Sequence, residues 1–336
     1  MTTTTDAPAR RAPNPTVRIV GVALLLAVIV GAFVVPLVFD VSLPTRVQDG
    51  LTLAISVLIE SMPFVMIGVI LAIVVQVWLP PDLIGRVLPK RAWPRRLALS
   101  CLGILIPVCE CGNVPFARGL LRRGVSPADT LTFLLAAPIV NPIVIVTTHA
   151  AFGWDSGILI ARLIGGLVIA NLIGWLFSRH PDPQRLLTER FRIETETEEC
   201  ATGSRTRRSL VQAIIELRAV MPALIIGSAL AGAVQVVVPR DVLVAVGANP
   251  ALSLVAMAAL AIVVALCSNV DAFFALSLAS AFTPGSIVVF LLVGPLVDVK
   301  MLALMRTTFT VRTLALITAL VLGIAFLFGI GVNLLV

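Results

Sequence analysis

Apolar positions along this chain fall in long, nearly unbroken runs, without the period-2 or period-3.6 alternation of a half-exposed surface. Runs longer than about 18 residues read as membrane helices. They cover 18–39, Leu51–Leu79, Pro127–Ala151, Gly157–Ser178, Leu210–Val238, Pro284–Met305 and Thr313–Val336. Two others, 97–123 and 252–282, are interrupted by polar residues, and each is long enough either to span or to descend and re-enter. One long polar stretch, 179–209, divides the chain. The pattern predicts an all-α polytopic membrane protein. Residues 1–17 form a disordered N-terminus, 18–39 a first transmembrane helix, 51–178 one membrane half, 179–209 a cytoplasmic linker and 210–336 a second half.

Composition agrees. The chain is 59% hydrophobic and 13% charged, with a mean hydropathy of +1.06, against about 25% charged residues in soluble domains. The net charge of +7 is no nucleic-acid signal, because much of it sits in short loops, where Lys and Arg orient a membrane protein toward the cytoplasm. There is no Tyr for base stacking. Pro80–Arg96 carries Arg86, Lys90, Arg91, Arg95 and Arg96 and reads as cytoplasmic, together with the N-terminus. Arg118, Arg122 and Arg123 close the 97–123 run. A full span would place them outside, whereas a re-entrant hairpin keeps them inside, so loop charge favours the hairpin.

The chain repeats itself. Met62–Asp82 aligns without a gap to Met221–Asp241, with eleven of 21 positions identical, including Gly68/Gly227, Gln76/Gln235, Pro80/Pro239 and Asp82/Asp241. Unrelated apolar helices share Leu and Val freely, but not Pro, Gly, Gln and Asp in register. Cys111-Gly-Asn-Val114 then matches Cys267-Ser-Asn-Val270, and Pro138-Ile-Val-Asn141 matches Pro295-Leu-Val-Asp298. Two homologous halves follow, and the hairpin topology makes them an inverted repeat, whose site is expected near the midplane where broken helices meet.

Chemistry concentrates at Pro107-Val-Cys-Glu-Cys-Gly-Asn-Val-Pro115. Each unpaired polar group in hydrocarbon costs several kcal/mol, so ionisable residues there are functional candidates. Thiols select soft ions such as Cu(I), Zn(II) and, by the same softness, trivalent arsenic. Cys109 and Cys111 offer two sulfurs from one turn and Cys267 a third from the other half. These three are candidate metalloid ligands, while Cys101 reads as a packing residue and Cys200 as incidental. Glu110, Asn113, Asn141, Asn269 and Asp298 complete the expected substrate site; interhelical pairing is the alternative role for the amides. Glu110, Asp271 and Glu60 are candidates for proton coupling, with Arg162 an alternative partner for Glu60. No G-x-x-x-x-G-K-[ST] phosphate loop is present, so transport would draw on an ion gradient or on the solute's own gradient, with no cofactor implied.

Pro107-Val-Cys-Glu-Cys-Gly112, Arg118-Gly-Leu-Leu-Arg-Arg-Gly124, Thr132-Phe-Leu-Leu-Ala-Ala-Pro138 and Phe290-Leu-Leu-Val-Gly-Pro295 resemble the ArsP-type family of predicted permeases. The resemblance runs from Leu51 onward. It implies a plasma-membrane secondary permease that exports trivalent organic arsenicals such as methylarsenite, with Cys109 and Cys111 binding the substrate. Glu110 departs from the small residue expected between the thiols; its charge disfavours anions and suits a cation or a proton. A permease for a divalent cation or another small solute is the alternative reading. A non-transporting membrane scaffold subunit is the alternative from another class.

Overall fold

The computed structural model describes residues 45–80, 83–106, 108–198, 204–237 and 250–335. The expected disordered N-terminus (1–17) and first transmembrane helix (18–39) lie outside the described residues, as do Pro107 and Cys200. Among the described residues the chain is helical, with no strand beyond an isolated bridge between Leu187 and Phe309.

Helix α1 (Thr45–Ile73) runs on through a π-helical turn at Val74–Trp78, and the short α2 (Leu83–Val87) follows. The first half continues with α3 (Ala92–Leu105), α4 (Glu110–Arg122), α5 (Pro127–Val140), α6 (Pro142–Phe152) and α7 (Ile158–Ser178). The linker holds a 3-10 turn at Pro183–Leu186 and α8 (Glu189–Glu198). The second half contains α9 (Arg205–Val237), α10 (Pro250–Val264), α11 (Asp271–Ser277), α12 (Pro284–Val297), α13 (Val299–Met305) and α14 (Val311–Leu335). The aligned blocks fall on corresponding elements: α1 with α9, α4 with α11, α5 with α12. Among the described residues, Val47–Trp78, Ile158–Ser178, Arg205–Ala233, Pro284–Met305 and Val311–Leu335 are each long and apolar enough to cross a bilayer, and α5 and α6, bent by 41° at their junction, are so as a pair.

The 97–123 run is a helical hairpin. Its first arm α3 lies parallel to α5: Arg95 pairs with Asp129 in the first turn of α5, and Gly103 abuts Ala137 and Val140 near its end. The second arm α4 returns antiparallel. Its entry residue Val108 accepts a hydrogen bond from Asn141 just past α5, Phe116 stacks edge-on with Phe133, and the chain then reaches Ser126, the N-cap of α5. Arms of 14 and 13 residues measure about 20 Å at 1.5 Å per residue, short of a bilayer core of about 30 Å. The break is local in origin: Ile106, the residue before Pro107, is extended, as proline requires of its predecessor.

The second half repeats the plan. Leu254 meets Gly329 beside the start of α12 and Ala261 meets Gly294 near its end, so α10 and α12 are parallel. Helix α11 returns, with Phe274 stacked on Phe290. The tip between α10 and α11 holds Ala265 at φ +48°, a left-handed conformation that costs a residue bearing a Cβ roughly 1–2 kcal/mol.

Both central helices begin with the same chemistry. Ser126 accepts from the Asp129 N–H ahead of Pro127, and Thr283 accepts from the Ser286 N–H ahead of Pro284, satisfying donors that a helix start leaves open. Both end at matched polar residues, Asn141 and Asp298, which cap α6 and α13. Nearly every residue of α5 and α12 is buried, so the two helices form the centre of the bundle. Arg118, near the α5 start, reaches Thr307 and Thr308 just past α13, so α5 and α12 run in opposite directions.

Candidate functional site

The two hairpin tips and the two helix breaks converge on Glu110. Its Oε1 accepts from Lys300 Nζ at 3.1 Å, and its Oε2 accepts from Ser268 Oγ at 2.9 Å. The Cys267 Sγ lies 4.0 Å from the same Oε2. The ligand atoms of Cys109, Glu110 and Cys111 all lie within 4.8 Å of one another. The Cys109 thiol neighbours both the Cys111 and the Cys267 thiols, and Cys111 donates to Ser61 Oγ on α1 at 3.4 Å. All of these side chains are buried. Three sulfurs and one carboxylate, drawn from both halves, therefore share one buried cluster. Gly112 lets α1 approach it, since a Cβ there would lie 2.3 Å from the Phe64 carbonyl oxygen.

The polar residues around the cluster have unequal roles. Asn113 is fully buried, and neither its amide nitrogen nor its amide oxygen has a partner. Asn269 Oδ1 and Asp298 Oδ2 are also buried and unpartnered. Burying such a group without a hydrogen bond costs about 1–3 kcal/mol, so these atoms mark places where a polar guest is stabilised. Asn141 is already committed, with Oδ1 capping the Ile143 N–H and Nδ2 donating to Val108. Asp298 caps Met301 through its other oxygen. Neither pairs with its counterpart side chain across the repeat.

Three expectations change. Arg162 pairs with Asp271, not with Glu60: its Nη1 and Nη2 donate to the two carboxylate oxygens at 3.0 and 2.6 Å, and Nη1 also donates to Thr148 Oγ1. The reason is position, since Glu60 is exposed on α1 while its neighbour Ser61 faces inward. The sequence pattern places Lys300, with Arg306 and Arg312, near a cytoplasmic turn; it lies instead in the first turn of α13, just past the break at Asp298, buried against Glu110. Arg118 and Arg122 are not solvated loop charges. Arg118 Nε donates to Glu216 Oε2 at 2.8 Å, Arg122 also pairs with Glu216, and Arg118 Nη2 donates to Glu194 of the linker at 2.9 Å.

Lys300, Ser268 and Ser61 are site residues the sequence reading missed. Lys300 carried a usable signal, being a cation within the apolar run Pro284–Met305, the same anomaly that singled out Glu110. The two serines carried none, because Ser is common in membrane helices.

Residues 46–334 match the family model described as Predicted permease, ArsP_1. The chain is 38% identical to UPF0718 protein YcgR of Bacillus subtilis over 263 residues, 77% of this chain and 88% of the relative. It is 33% identical over 278 residues to a Streptococcus mutans protein with the provisional name two-component membrane permease complex subunit, covering 80% of this chain and 90% of that protein. It is 32% identical to UPF0718 protein YraQ of Escherichia coli over 113 residues, 34% of this chain and 32% of YraQ. No solved structure matches.

Proposed function

The chain belongs to the ArsP_1 family of predicted permeases, and from that premise we propose that it is a secondary permease exporting a soft, thiophilic solute, a trivalent organic arsenical. One observation carries the reading: thiols from both hairpin tips, Cys109, Cys111 and Cys267, gather around Glu110 in a buried cluster. A trivalent arsenical R–As(OH)2 exchanges its two hydroxyls for two thiols, giving R–As(S–Cys)2 and two waters, with no change of charge. Cys109 and Cys111 supply the two sulfurs and Cys267 a third for transfer between halves. The unpartnered amide of Asn113 receives the solute's hydroxyl or the released water.

The opposed directions of α5 and α12 support an inverted repeat, in which the halves rock about this cluster. Of the proton-coupling candidates, Glu110 and Asp271 have support in their burial and their ion pairs across the halves, and Glu60 does not. The basic segments around α2 and α3 support a plasma-membrane orientation with the linker in the cytoplasm.

The test is expression in a metalloid-sensitive host challenged with methylarsenite, arsenite, copper and zinc. The wild type is expected to confer resistance to methylarsenite, and Cys109→Ser and Cys111→Ser to abolish it at normal membrane abundance. Full resistance in the double variant removes the site assignment. A second reading draws on the name of the S. mutans relative: the chain acts as one subunit of a two-component permease. In that case it gives no resistance alone and gains it on co-expression with a partner membrane protein.

A further inference from the structure

The thiol cluster poses a selectivity problem. Cys109, Glu110 and Cys111, with Cys267 beside Glu110, offer sulfur and oxygen donors of the kind that suit Zn2+ or Cd2+. A carrier of uncharged arsenicals built on such a set would be blocked by any thiophilic dication. The structure contains a group in the right place to prevent this. We propose that Lys300 is a specificity-determining residue, a tethered internal cation that keeps divalent metals out of the Cys109–Glu110–Cys111–Cys267 cluster and leaves the thiols to an uncharged thiophile. The inference deepens the reading above and rests on its assignment of these thiols to the substrate.

Four observations support it. The Lys300 ammonium lies 3.1 Å from Glu110 Oε1, so the carboxylate that sits among the thiols already has its countercharge. Lys300 is almost fully buried, so an ammonium displaced from Glu110 would have to be desolvated elsewhere in the interior. Its backbone is held in place: Gly227 of α9 packs so closely that a Cβ there would lie 3.2 Å from Lys300 Cα. The nearby acid Asp271 is occupied by Arg162. Asp298, two residues away, caps its own helix through one oxygen and adds a second negative charge beside the ammonium, holding it in the same place. The ammonium therefore stays beside the thiols. A dication that takes Glu110 as a ligand must break its pair with Lys300 and leave the ammonium without a countercharge in a poorly polarisable interior. An arsenical that exchanges hydroxyls for thiols brings no charge and meets no such barrier.

The sequence repeat sharpens the point. Asp298 aligns with Asn141, which places Ile143 opposite Lys300. One half of the duplicated break therefore carries an aliphatic side chain where the other carries the cation, so Lys300 is not a requirement of the fold that both halves share.

Cd2+ titration of the purified full chain tests the proposal, read by the ultraviolet thiolate-to-cadmium charge-transfer band. The wild type and Lys300→Arg are expected to show no saturable band. Lys300→Met should develop one at one Cd2+ per chain, with affinity raised roughly a hundredfold or more by loss of the neighbouring charge. Adding Cys109→Ser to Lys300→Met should remove it. Tight stoichiometric Cd2+ binding by the wild type overturns the proposal, whatever the variants do. So does a Lys300→Arg variant that behaves like Lys300→Met, since volume and not charge would then be deciding. If Lys300→Met does not fold, Lys300→Gln takes its place in the same titration. A parallel arm uses phenylarsine oxide and counts the thiols it consumes. If the wild type loses two thiols to phenylarsine oxide while Lys300→Met gains no Cd2+ affinity, only the role of Lys300 falls. If the wild type loses none, the substrate reading falls with it.

Discussion

At the scale of single residues, the molecule is organised by a few buried charges, several of them paired across the two halves. Arg162 and Asp271 are the clearest case, both buried and joined by two hydrogen bonds. Removing one member of such a pair strands the other charge and typically costs about 3–5 kcal/mol, whereas replacing both by apolar residues of similar size is often neutral. Asp271→Asn is therefore expected to lower the thermal unfolding midpoint in detergent sharply. The double variant Arg162→Met with Asp271→Leu should recover most of that loss. A single variant as stable as the wild type would show that the pair contributes nothing. The candidates Glu110, Asp271 and Asp298 were legible in the sequence because a carboxylate in an apolar run is anomalous wherever it folds. Their partners were not, because Glu110 and Lys300 are 190 residues apart and Asp271 and Arg162 109 apart, and nothing local decides among several buried cations.

At the scale of elements, close helix crossings place the cluster. A Cβ on Gly68 would lie 2.1 Å from the Gly112 carbonyl oxygen, so α1 and α4 touch backbone to backbone next to Cys111. Gly68→Val must push α1 off α4, with an overpacking cost of about 1–3 kcal/mol or more. It should also break the Cys111–Ser61 contact and make Cys111 reactive to a small maleimide, which leaves the buried wild-type thiol untouched. Gly323→Val is the matched control, because nothing lies within 4 Å of its added Cβ, and it should change neither readout. The aligned Gly68 and Gly227 were visible in the repeat, yet they serve different crossings, α1 on α4 and α9 on α13. Identity at equivalent positions reflects duplication, while the contact each glycine permits depends on which neighbour the fold supplies.

At the scale of the whole molecule, the linker does more than join the halves. The Thr188 N–H donates to the Thr308 carbonyl and the Thr310 N–H to the Leu186 carbonyl. The Phe191 ring lies under both Arg118 and Arg122, and Glu194 pairs with Arg118. The polar segment that hydropathy marks as a simple connector is thus fastened to α4 of one half and to the α13–α14 turn of the other. Phe191→Ala combined with Glu194→Gln is expected to speed limited proteolysis within 179–209 by about tenfold or more, since burying a Phe contributes about 3–5 kcal/mol. An unchanged cleavage rate would mean the linker is held by its backbone bridge alone.

The order of letters along the chain determined whatever depends on neighbours and periodicity. Apolar runs set the membrane helices, Pro107 and the Asn141 and Asp298 steps set the breaks, Ser126-Pro127 and Thr283-Pro284 set the helix starts, and the duplicated blocks set two matching halves. Only the tertiary structure decided that Lys300 answers Glu110, that Arg162 answers Asp271 and that Glu60 faces outward. The physical reason is that hydropathy and backbone geometry act over a few residues. The pairing of buried charges is chosen across the bundle, where the direction and rotation of each helix bring one partner within reach and turn the others away.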